Sequence, residues 1–150
     1  MSDIKDERGF NQIFEDTVAA KIRKERRCDY MIGQMNNATL NPQTNILEIG
    51  CGTGDALKYI ADKTKANCLG IDLSKKFIDS ANQRYKSSNL SYEVADFNDP
   101  KSFNGDMAYN KFDYVIGNGI LHHLYYKAYK FVLYLLLLKF FYMPTLHASS

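Results

Sequence analysis

Between Ile46 and Asp55 the chain reads Ile-Leu-Glu-Ile-Gly-Cys-Gly-Thr-Gly-Asp, an apolar run that stops at alternating glycines just before a helical pattern begins. This predicts a strand–turn–helix unit whose bend is stripped of side chains, so that a ligand can touch the main chain. The glycine spacing then discriminates between ligand classes. A dinucleotide turn follows G-x-G-x-x-G, the third glycine allowing close packing of helix on strand. Counted from Gly50 the third glycine falls on Asp55, and counted from Gly52 it falls on Leu57. Neither frame fits. Asp55, in the first helical turn, is expected to satisfy free amides itself and to repel a dianionic phosphate. With Glu48 beside the turn, the chemistry points to a cationic, amino-acid-bearing nucleoside.

The rest of the chain supplies a frame for this turn. At 150 residues it has the length of one domain able to bury a core. Strands are expected at 45–50, 68–71, 90–94 and 112–117. A helix over 55–64 buries Leu57, Ile60 and Ala61, and Ser74 caps a second carrying Phe77, Ile78, Ala81 and Tyr85 on one face. Residues 98–111, with Asp99-Pro100 and Asn104-Gly105, read mostly as loop. Strands alternating with helices at this spacing predict right-handed crossovers and an α/β fold with a parallel sheet. Upstream, residues 9–35 read as one or two helices, with Phe10, Ile13, Phe14, Val18 and Ile22 on one face. The basic run 21–27 follows on the same helix and is expected to form a solvated face.

Charge and cysteine usage narrow the setting. A net charge of +2 does not by itself imply a nucleic-acid partner. Cys28, Cys51 and Cys68 have neither metal-ligand nor CxxC spacing, so no metal is expected. Residues 1–8 are charged and no apolar signal region follows, which makes a reducing cytoplasm the simplest compartment. The apolar run Phe131–Leu138 falls short of the roughly 20 residues a spanning helix needs.

Glu48-Ile49-Gly50-Cys51-Gly52-Thr53-Gly54 resembles motif I of the class I S-adenosylmethionine-dependent methyltransferases, and the resemblance continues in order. Gly70-Ile71-Asp72-Leu73-Ser74 resembles the second motif, whose acid binds both ribose hydroxyls. Asp72 lies 18 residues after Gly54, as ribose-binding acids do in this layout. Val94-Ala95-Asp96-Phe97 resembles the third, whose aspartate accepts from the adenine amino group while its neighbours flank the ring. Phe112 to Leu124 resembles the fourth, along the methyl-transfer cleft. The resemblance implies a Rossmann-like three-layer sandwich, incomplete at its C-terminal strands, with S-adenosyl-L-methionine as cofactor. Glu48, Gly50, Cys51, Gly52, Gly54, Asp72, Leu73, Asp96, Phe97 and Asn118 are its implied binding residues, Cys51 as a small turn residue rather than a nucleophile.

The exit of the fourth strand speaks to substrate. Gly117-Asn118-Gly119-Ile120-Leu121 lacks the Asp/Asn-Pro-Pro-aromatic sequence of enzymes that methylate base amines, and no Arg-rich or aromatic platform replaces it. A small-molecule methyl acceptor is expected, with nucleic acid disfavoured and His122 or His123 as candidate general base. The resemblance covers roughly residues 30–124. Three segments follow: a helical cap or lid over 1–44 carrying Phe10, Phe14 and Tyr30, a cofactor-binding core over 45–124, and an apolar tail over 125–150. The tail holds three lysines and no acid, and strands five to seven are missing from it. It is expected to cover the open edge of strand four as a helix or a strand, or to promote self-association. The shift at Tyr125 reads as a truncated or frame-shifted product. A non-catalytic S-adenosylmethionine-binding fragment or interaction module is the alternative reading, and a nicotinamide dehydrogenase a distant third.

Overall fold

The computed structural model describes residues 17–35, 40–96 and 112–117, and the backbone of 140–142. Helix α1 (Val18–Gln34) is followed by β1 (Asn45–Ile49), α2 (Asp55–Thr64), β2 (Asn67–Asp72), α3 (Lys75–Arg84), β3 (Leu90–Val94), β4 (Tyr114–Gly117) and β5 (Phe140–Tyr142). The five strands form one sheet in the order β3-β2-β1-β4-β5. Every pairing is parallel. The order runs outward from β1 through β2 to β3, then resumes on the other side of β1 with β4, so the strand order switches between β1 and β4. Ligands of open parallel sheets bind at that switch point, outside the carboxyl ends of the strands.

β1 is buried on both faces, as a central parallel strand requires: Ile46 and Glu48 on one, Leu47 and Ile49 on the other. Leu57, Ile60 and Ala61 recur at helical spacing on α2, and with Ile78 and Ala81 of α3 they join Ile46, Cys68 and Ile116 in one apolar core. Burying a Leu or Ile side chain contributes about 1.5–3 kcal/mol, so this stripe on α2 is what holds the helix to the sheet. Ser74 caps α3 as expected, its hydroxyl accepting from the Phe77 N–H at 3.4 Å.

The leading helix differs from expectation. Thr17 is its N-cap, in extended conformation, and its hydroxyl accepts from the Ala20 N–H at 3.1 Å. Val18 and Ile22 are 77% and 42% exposed, so they do not form the buried face. Ala20, Cys28 and Met31 do, followed by Met35 just past the helix end. Phe10, Ile13 and Phe14 lie outside the described residues, and Tyr30 is exposed. The basic run is solvated as read, except that Lys24 turns inward to Asp55 at 3.7 Å.

Of the two forms expected for the tail at the open edge of β4, the strand is the one present. Tyr114, Val115 and Ile116 pair in register with Phe140, Phe141 and Tyr142, so the tail meets the edge of β4 as a parallel strand. The loop expected over 98–111 lies outside the described residues, apart from its approach at Asp96. Among the described residues no helix is long and apolar enough to cross a membrane.

Candidate functional site

The carboxyl ends of β1, β2 and β3 bring the predicted motifs together. Gly50, Gly52 and Gly54 have φ of 70°, 54° and 82°, so all three occupy the left-handed region where a side chain is strained. The turn is tied to β2: the N–H groups of Gly50 and Cys51 both donate to the Ile71 carbonyl, at 2.8 and 3.0 Å. Gly54, in left-handed conformation, is the N-cap of α2.

The three glycines do not have equal roles. A Cβ on Gly54 would fall 2.6 Å from the Tyr92 ring, whereas a Cβ on Gly52 would meet nothing within 4 Å. Gly54 is a packing glycine. Gly52 opens onto free space, as a residue that lets a ligand reach the backbone must.

Asp72 closes the other side. Its Oδ2 accepts from the Gly52 N–H at 2.9 Å and its Oδ1 from the Ser74 N–H at 2.8 Å. One carboxyl thus clamps the glycine turn to the start of α3. Each carboxylate oxygen has two lone pairs, so each retains one acceptor position for a ligand hydroxyl. Leu73, next along, is exposed, and Asp96 stands two residues beyond β3, half-buried. Phe97, Asn118, His122 and His123 lie outside the described residues.

Asp55 behaves differently from expectation. Its partners are side chains, not helix amides. Oδ2 accepts from the Thr53 hydroxyl at 2.6 Å, and Oδ1 from the Tyr85 hydroxyl and from Arg84 at 3.1 Å. Burial works to raise its pKa, but the Thr53 and Tyr85 hydrogen bonds with the Lys24 and Arg84 charges outweigh it and hold the carboxyl below its usual range. The residue is an anchor between α1, α2 and α3.

Glu48 is the anomaly of the site. It is 2% exposed in the middle of the central strand, and its Oε2 has no hydrogen-bond partner among the described residues. Burial first, then the Asp72 and Asp55 charges, push its pKa to about 8. The Cys51 thiol is likewise pushed far up by burial and by Glu48, which leaves it a protonated, buried turn residue and no nucleophile.

Sequence reasoning missed Tyr92. Its side chain is buried on β3, passes beside Gly70 of β2 and donates its hydroxyl to the Gly54 carbonyl at 2.7 Å. A Cβ on Gly70 would fall 2.7 Å from the same ring. The pairing of Gly70 with a large β3 residue was the available signal, visible only once the register Gly70↔Tyr92 is known. Tyr92→Phe should lower stability by about 0.5–1.5 kcal/mol through loss of that bond. An unchanged urea midpoint would show that the hydroxyl contributes nothing.

Other concavities are poorer candidates. A cleft of about 180 Å³ lined by Asn45, Asn67, Asn89 and Phe112 lies at the opposite, amino ends of the strands, away from the glycine turn. A groove of about 410 Å³ between α1 and α2 holds Lys24, Lys58, Asp55 and Asp62, whose charges are paired with one another.

Comparison with known proteins agrees with this geometry. The family model described as a methyltransferase domain matches residues 47–134, reaching ten residues past the point where the motif resemblance ends. Phosphoethanolamine N-methyltransferase 1 of Arabidopsis thaliana is 36% identical over 92 residues, 60% of this chain and 17% of that protein. Phosphoethanolamine N-methyltransferase of Plasmodium falciparum is 28% identical over 91 residues, 60% of this chain and 32% of that protein. The chain therefore spans a third or less of these relatives' lengths. Among solved structures, coclaurine N-methyltransferase bound to N-methylheliamine and SAH superposes with a TM-score of 0.60 at 18% identity, covering 81% of this chain and 34% of that one. The fold is thus shared with that enzyme. With more than half of its length matched by the family model, and with the strand order and glycine turn in place, the chain belongs to the methyltransferase domain family.

Proposed function

We propose that the chain binds S-adenosyl-L-methionine at the carboxyl ends of β1, β2 and β3 and transfers its methyl group to a small-molecule acceptor. The observation that carries this reading is the glycine turn, open at Gly52 and clamped by Asp72, beside a buried carboxyl with an orphaned oxygen. These features fit the cofactor. The open face of Gly52 leaves room for its amino-acid end, the free acceptor positions of Asp72 suit two vicinal hydroxyls, and the Glu48 carboxyl suits an ammonium. Leu73, Asp96, Phe97 and Asn118 complete the proposed cofactor set around the adenine and the cleft. The plant and Plasmodium relatives are named for phosphoethanolamine, and the solved relative was crystallised with SAH, which supports a small acceptor and this cofactor.

When bound, the cofactor supplies an electrophilic methyl group on sulfonium. The chain's part is then to align an acceptor with it, and such alignment contributes on the order of 7–11 kcal/mol to reactions of this kind. His122 and His123 are the proposed bases for an acceptor that must lose a proton. Three buried, unpaired cysteines accord with a reducing compartment such as the cytoplasm.

Calorimetric titration with S-adenosylmethionine, followed by turnover assays on amine, hydroxyl and thiol acceptors including phosphoethanolamine, tests the proposal. Binding with turnover is expected. No heat at millimolar ligand would remove the cofactor assignment. Binding without turnover on any acceptor would favour the non-catalytic binding module.

A further inference from the structure

Among the described residues, nothing holds the Glu48 carboxyl at Oε2. Its register neighbours are Gly70 on β2 and Ile116 on β4, neither of which offers a polar side chain. Oε2 is buried and lacks a hydrogen-bond partner among the described residues. The charged groups that act on it are mostly the wrong sign: Asp72 at the end of β2 and Asp55 at the start of α2. The one cation acting on it among the described residues, Lys24 of α1, stands 3.7 Å from Asp55 and is engaged there. The other titratable groups around it are Cys28 on α1, Cys51 in the turn, Cys68 on β2 and Tyr92 on β3, all pushed up by burial first and then by Glu48, and so protonated and neutral at neutral pH. An unpaired buried carboxylate is unfavourable enough that the group neutralises instead.

We infer that Glu48 exchanges a proton for the cation of the ligand: the ligand-free chain holds the carboxyl protonated, and a ligand bringing an ammonium to the ends of β1 and β2 expels that proton to solvent. The inference rests on the proposed cofactor site and adds to it a charge-exchange role. Burying an ammonium beside Glu48, Asp72 and Asp55 supplies the missing counter-charge, and one proton leaves as one positive charge arrives. Local charge beside Glu48 is thereby conserved. That exchange selects for ligands that carry an ammonium, because a ligand without one gains nothing by displacing the proton.

The sign of the pH dependence follows. The free-state group is protonated below about 8. The bound-state group is ionised, so binding releases a proton and affinity rises with pH, up to tenfold per unit, until the free protein loses that proton by itself. Near pH 8 the ligand's own amino group starts to lose its charge, which places the informative window at about pH 6–7.

The full chain is titrated with S-adenosylhomocysteine at pH 6.5 in two buffers of different ionisation enthalpy, which counts protons. Release of about one proton per ligand is expected from the native chain and none from Glu48→Gln. Binding without proton release would overturn the exchange and leave the cofactor assignment standing. No binding at millimolar ligand would sink both. Carboxyl 13C resonances of the ligand-free chain give an independent reading: Glu48 should titrate near 8, and a midpoint in the ordinary carboxylate range would overturn the inference even if the ligand binds.

Discussion

Gly54→Ala should destabilise the chain by about 2–5 kcal/mol, and Gly52→Ala by only about 1–2 kcal/mol. Both substitutions put a side chain at positive φ, which accounts for roughly 1–2 kcal/mol in each. Only at Gly54 does the new methyl also collide with the Tyr92 ring, 2.6 Å away and held by its own hydrogen bond. Overpacking of that kind adds about 1–3 kcal/mol. Ligand binding should show the opposite order for the folded proteins. A side chain on Gly52 projects into the open space above the turn and blocks the approach of a ligand to the main chain. Urea denaturation gives the first comparison and calorimetry at low temperature the second. Equal stability losses, or undiminished ligand affinity in a Gly52→Val variant, would show that the two glycines have been misassigned.

Asp72→Ala removes two hydrogen bonds at once, those from the N–H groups of Gly52 and Ser74. Bonds to a charged acceptor contribute about 1.5–3 kcal/mol each, and partial exposure places these toward the lower end. A stability loss of about 2–3 kcal/mol is expected, and a ligand affinity lower by on the order of 10–100-fold as the ribose acceptor disappears. Asp72→Asn keeps one acceptor oxygen and should fall between. The diagnostic result is a loss in both quantities. Reduced affinity at unchanged stability would mean that Asp72 serves the ligand alone and does not clamp the turn.

The frame of the fold was legible because it depends on local pattern. Leu57, Ile60 and Ala61 at helical spacing gave α2, and the burial of all three followed. The glycine spacing singled out Gly50, Gly52 and Gly54, all with positive φ. What escaped reading depends on contacts between distant segments. The double engagement of Asp72 requires β2 to stand beside the turn, and the strut of Tyr92 requires β3 in register beyond it. Asp55 was misread for the same reason: its charge is local, but Tyr85 and Arg84 reach it from α3. Val18 and Ile22 misled because their spacing of four puts them on one face of α1 without saying which face is covered, and the buried one carries Ala20, Cys28 and Met31.

Tyr92, Gly54 and Gly70 share one volume: the ring occupies what side chains at the two glycines would fill. They therefore form a single unit of inheritance rather than three independent positions. A change at any one is epistatic with the other two: a smaller residue at Tyr92 relieves the ring clash at both glycines, but Gly54 still carries the strain of its positive φ and a Cβ on Gly70 still meets Cys51 at 2.9 Å. The route through sequence space thus begins on an edge-side strand, remote from the turn it unlocks.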